Sequence, residues 1–162
     1  MADRWIELGF IAAPPSRWVV MIVRMAVVWT CPNCKRTFGK TNQGHMCAPA
    51  MTEKQYFKTG PDFERPIFEE VRSFLTGLGD DVRVEFVSVG VFFKRRTTFS
   101  ELRPLTKWSN LSFKVPRRVE DPRITKAWHG PNGSYCVVRL KVPSDVDDVI
   151  RGWLAEAYAE DG

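Results

Sequence analysis

The chain has 162 residues, of which 44% are hydrophobic, with 24 lysines and arginines against 19 acids. That length suits one ordinary domain with a small appendage, and that apolar content excludes wholesale disorder. The net charge of +5 is unevenly spread: from Lys94 to Arg118, eight cations against the single acid Glu101 give that stretch +7 and leave −2 for the rest.

Residues 1–24 read as an extension. Pro14 and Pro15 interrupt them, no continuous period runs through them, and Met21 and Met25 are both alternative starts. The other reading is a helix or strand built from Trp18, Val19, Val20, Ile22 and Val23 that docks on the body. The apolar run from Trp18 to Trp29 is broken by Arg24 and falls short of the roughly 20 residues that a spanning helix needs. It also makes a poor signal peptide, which predicts a cytoplasmic protein with reduced cysteines and no membrane partner.

Residues 25–50 read as a zinc-binding module and 51–162 as an α+β domain. Residues 26–30 predict a short strand leading into the cysteines. Thr52 and Gln55 form a capping-box pattern, with Met51 and Tyr56 as a staple. Gly60 and Pro61 break that helix. Phe63, Ile67, Val71, Phe74, Leu75 and Leu78 recur at helical spacing, with Pro66 in the first turn and Gly77 or Gly79 at the end. Asp62 and Glu64 then read as carboxylates favoured by the helix dipole.

Val82, Val84 and Phe86 alternate with Arg83 and Glu85, a strand with one buried face. Val89 to Phe93 is apolar on both faces and predicts a central strand. Residues 98–104 and 108–115 predict two more, with Leu111, Phe113 and Val115 inward and Trp108 outward. Asp121 to Trp128 reads as a short helical turn, and Gly130 to Gly133 as a loop carrying His129. Tyr135 to Val142 predicts a last strand, with Cys136 as a buried thiol. Ser144 with Asp147 caps a helix whose stripe is Val146, Val149, Ile150, Trp153, Leu154 and Tyr158. The expectation is an α+β fold: a small zinc module, then an antiparallel sheet of about five strands with flanking helices.

Cys31 to Cys47 reads CPNCKRTFGKTNQGHMC. Two cysteines three apart can turn around one ion. Gly39 and Gly44 let the chain fold back, and His45 and Cys47 complete a set of three sulfurs and one nitrogen. Cys31, Cys34, His45 and Cys47 thus predict one structural zinc in a closed site, with no open position for hydrolysis.

Four segments carry a family resemblance: WTCPNCKRTFGKTNQGHMC at Trp29–Cys47, VSVGVFFKRRTTFSELRP at Val87–Pro104, LSFKVPRR at Leu111–Arg118 and VDDVIRGWLAEAY at Val146–Tyr158. Over roughly Val28 to Tyr158 the chain resembles the bacterial domain-of-unknown-function family "fifty-six fifty-five". The resemblance implies a zinc-knuckle-like start and a small α+β domain, and it transfers no activity.

No nucleophile elbow, phosphate-binding loop or dinucleotide fingerprint occurs, and enzymatic activity stays open with the balance against it. The functional expectation is a zinc-binding protein without catalysis, whose basic face takes nucleic acid or a small anion. Its candidates are Lys94, Arg95, Arg96, Arg103, Lys107, Trp108, Arg117 and Arg118: cations for phosphate or carboxylate and an aromatic for stacking. The alternatives are a protein–protein adaptor, or a small-ligand-binding domain with an unrecognised activity.

Overall fold

The computed structural model describes residues 29–45 and 47–162. The expectations for residues 1–24, and for the part of the first strand before Trp29, lie outside the described residues. Strands β1 (Trp29–Thr30) and β2 (Thr37–Phe38) pair antiparallel. Helices α1 (Glu53–Tyr56) and α2 (Glu64–Leu78) follow. Then come β3 (Arg83–Val87), β4 (Gly90–Lys94), β5 (Thr98–Pro104), β6 (Ser109–Val115), β7 (Ile124–Gly130) and β8 (Gly133–Leu140). Helix α3 spans Asp148–Glu160. The architecture is α+β, with one six-stranded antiparallel sheet in the order β3-β4-β5-β6-β8-β7 and a separate two-stranded ribbon.

The helix starts follow their caps. Thr52 accepts from the Gln55 amide while the Gln55 side chain reaches back to the Thr52 amide, the capping box expected there. Asp147 caps α3 by accepting from the amides of Val149 and Ile150. Ser144 does not share that role, because it lies in a 3-10 turn, Pro143–Asp145, ahead of the helix.

Helices α2 and α3 pack on one face of the sheet. Ile67, Phe68, Val71 and Leu75 from α2 and Ile150, Trp153 and Leu154 from α3 bury against Val91, Phe93, Leu102, Leu111, Phe113 and Val138. The ring of Phe113 stacks on Trp153 at 5.4 Å. Cys136 is a free, fully buried thiol in this core, as expected, and burial pushes its pKa up.

Two expectations are corrected. Asp121–Trp128 is not a helical turn: most of it enters β7, an edge strand paired with β8, so the sheet has six strands. Every residue of β7 after Ile124 is exposed, and a strand without a buried face carries no alternating pattern. Nor is β4 central. It lies second from the β3 edge, and it is apolar on both faces because the β1–β2 lobe covers the face away from the helices.

Candidate metal centre

The lobe is built by a tight turn. The Lys35 amide donates to the Cys31 carbonyl at 3.0 Å, and the Cys31 amide donates to the Arg36 carbonyl at 2.9 Å. Lys35 takes the left-handed conformation, φ 61°, to close that turn. Cys31 and Cys34 end up buried beside Phe38 and Trp29, while Cys47 is exposed.

The four expected ligands converge. The donor atoms of Cys31, Cys34, His45 and Cys47 all lie within 4.8 Å of one another and could hold a metal ion. The Cys31 and Cys47 sulfurs are 3.8 Å apart, and the Cys34 sulfur lies 3.3 Å from His45 Nε2. A tetrahedron with metal–sulfur bonds of about 2.3 Å has edges of about 3.8 Å, so the sulfur spacing fits a shared ion. A disulfide needs about 2.0 Å, which the free cysteines do not approach.

The histidine is oriented for this role. Its Nδ1 lies 2.7 Å from the Gln43 carbonyl, so Nδ1–H donates there and the Nε2 lone pair faces the sulfurs. That carbonyl also raises the His45 pKa, and Phe38 stacks under the ring at 4.1 Å. Hydrogen bonds from the Cys34 and Asn33 amides and from the neighbouring thiols push Cys31 down to about 6, the Cys34 amide contributing most. Desolvation, then the neighbouring sulfurs, raises Cys47. Cys31 is thus poised as a thiolate at neutral pH.

Buried charge ties the lobe to the sheet. Arg36 Nε donates to Glu85 at 2.6 Å, and Lys94 Nζ donates to the same carboxylate oxygen at 2.9 Å and to the Thr37 carbonyl at 3.2 Å. The Arg36 guanidinium lies over both Phe38 and Phe92. Gly39 passes so close to the β4–β5 hairpin that a Cβ there would sit 2.8 Å from the Arg96 carbonyl oxygen.

The basic candidates do not form one face. Lys94 is buried under the lobe, and desolvation lowers its pKa. Arg95 pairs with Asp81, Arg117 with Glu156 and Arg118 with Glu120, while Arg96 donates to the Gly162 carbonyl. These four lie at one end of β5. Arg103, paired with Glu101, lies at its other end, beyond which come Lys107 and Trp108. Trp108 is half-buried: its indole N–H donates to Asn110, and Arg139 lies over its ring at 4.6 Å. Among the described residues the exposed aromatics are instead Trp128, 57% exposed, and Tyr135, 41% exposed, opposed across β7 and β8 with rings 5.6 Å apart. Reading Trp128 as part of a helical turn hid this pair.

A family model described as a domain of unknown function (DUF5655) matches residues 53–160. The chain belongs to this family. The match covers about two thirds of the chain, runs from α1 to the last residue of α3, and leaves the Cys–His lobe outside it. No curated protein and no solved structure matches the chain. Among the described residues no helix is long and apolar enough to cross a membrane.

Proposed function

We propose that this chain is a non-catalytic anion-binding module whose lobe is set by one structural zinc. The convergence of three sulfurs and one imidazole nitrogen carries the reading. Soft thiolates with one imidazole in a tetrahedral set suit zinc, and four protein ligands fill its coordination. The ion's work is then mechanical. It closes the turn from Cys31 to Arg36 onto His45 and Cys47, and so presents Arg36 and Phe38 to the sheet. The anionic partner is supported by the cations on the face that the lobe covers in part: Lys94 and Arg103 beneath and beside it, Lys114, Lys126 and Arg139 further along, with Glu101 the one acid among the β5 to β8 residues of that face.

Nucleic acid is a second reading, favoured by the exposed Trp128–Tyr135 pair on the same face, since every base has a π-face to stack. Elemental analysis tests the zinc: about one ion per chain, falling by more than half in Cys31→Ser or Cys47→Ser. Full retention in a Cys31→Ser/Cys34→Ser chain would overturn it. Titration with a short single-stranded oligonucleotide over a salt series tests the second reading, which requires binding that weakens with salt and with Trp128→Ala.

A further inference from the structure

Between the lobe and the sheet lies a cleft of about 280 Å³. One part of its wall is apolar: Phe38, Val87, Val89 and Phe92. The other is polar: the cations Arg36, Lys94 and Arg103 with Gln43, His45, Ser88 and Thr98, and no carboxylate among the described residues that line it. The acids that serve these cations stand outside the lining. Glu85 holds Arg36 and Lys94, and Glu101 holds Arg103. Each cation is therefore fixed by a partner behind it, which leaves its charge directed without a search over rotamers. Arg36 and Lys94 are 8% and 5% exposed, so water screens them poorly.

Size, apolar wall and charge together select a ligand. The volume is at the lower end of what small-molecule sites offer. A doubly charged phosphate would lose more hydration here than three already-paired cations return, whereas a singly charged carboxylate with an aromatic body would lose less and fill the phenylalanine side. We infer that the cleft between the Cys–His lobe and β4 is a binding site for a small aromatic carboxylate. Its ring packs against Val87, Val89 and the edge of Phe92, beside the Arg36 guanidinium that lies over Phe38 and Phe92, and its carboxylate meets Lys94 and Arg103. The inference rests on the proposed zinc reading, because the lobe is one wall of the cleft.

The test uses the full chain with its zinc content measured on the same sample. Naphthoate, indoleacetate and phenylacetate are titrated by calorimetry, beside inorganic phosphate and a short single-stranded oligonucleotide. At least one aromatic carboxylate should bind at one site per chain, with Kd between about 10 μM and 1 mM, as a ligand of about a dozen heavy atoms allows. Phosphate should bind at least tenfold more weakly. Arg103→Gln, at a half-exposed position, should weaken the carboxylate about fivefold or more in a chain whose urea midpoint is measured beside the parent's, and Val89→Asp should abolish it. Absence of saturable binding in zinc-loaded protein overturns the inference and leaves the zinc reading standing. Binding that ignores both substitutions, or that phosphate or the oligonucleotide matches, also overturns it. A chain without zinc that still binds naphthoate through Arg103 keeps the site and removes the structural zinc.

Discussion

Glu64 is fully buried, with one carboxylate oxygen accepting from the Tyr56 hydroxyl and the other without a hydrogen-bond partner. Sequence position alone makes it a first-turn acid favoured by the helix dipole, and α2 does start there. The burial was not legible, because the residue that covers Glu64 comes from α1, eight positions earlier. Burial raises the Glu64 pKa, and the Tyr56 bond offsets part of that. A raised carboxyl pKa means that folding favours the neutral form. This contribution is complete below the unfolded value of about 4.3 and is lost as pH rises through the folded value. At pH 7 the site therefore costs stability, and Glu64→Gln should raise Tm by about 2–6 °C there. The gain should vanish near pH 4; melts at the two pH values check it, and a lower Tm for the variant at pH 7 would contradict it. Lys35 carries a different local cost. Its φ of 61° is one that a β-carbon resists by about 1–2 kcal/mol, so Lys35→Gly should stabilise the lobe, read as slower zinc loss to a chelator.

At the level of elements, the sequence showed whatever one periodicity could carry. The stripe of α2, the cap at Thr52 and the inward row of β6 follow from repeat and capping rules and are present, whereas the cap read as Ser144 with Asp147 falls to Asp147 alone. The convergence of Cys31, Cys34, His45 and Cys47 was legible for a related reason: spacing within one short loop is local information. What was not legible is how distant segments meet. The paired apolar faces of β4 suggested a central strand, whereas the second face belongs to the lobe. Glu85 shows what that junction costs to break. It is the carboxylate shared by Arg36 and Lys94, both buried. Glu85→Ala strands the Lys94 ammonium beside Arg83 and Arg36 and should cost about 3–5 kcal/mol, measured by urea unfolding. Adding Lys94→Met to that chain should restore about half of the loss, because the buried charge goes with it. A double variant no more stable than Glu85→Ala would show that the shared carboxylate is not the tie.

Over the whole molecule, the +7 segment is less of a field than its sequence makes it. The chain folds acids from far away onto it: Asp81 onto Arg95, Glu156 onto Arg117, and Asp161 onto the amide and hydroxyl of Thr97. Arg95 does most here. It bonds Asp81 at 2.6 Å, donates to the Tyr158 carbonyl and lies over the Tyr158 ring at 4.4 Å, so it fastens the β4–β5 hairpin to the end of α3. By contrast, Lys114 and Lys126 have no ion pair among the described residues, and they share the face of Tyr135 and Trp128. Two sets of substitutions separate these roles. Replacing Arg95, Arg96, Arg117 and Arg118 with glutamine should lower stability by about 1–3 kcal/mol, mostly through Arg95, since partly exposed pairs contribute up to about 1 kcal/mol each. It should leave carboxylate binding in the cleft unchanged. Replacing Lys114, Lys126 and Arg139 with glutamine should lower the unfolding free energy by no more than about 1 kcal/mol, most of it from the Arg139 contact with the Trp108 ring. Any oligonucleotide affinity should fall with this second set, and its salt dependence should flatten by about 0.7 for each phosphate no longer neutralised. An affinity that follows the four arginines instead would place the polymer site at the hairpin end of the sheet, and the charge seen along the sequence would then be the charge that binds.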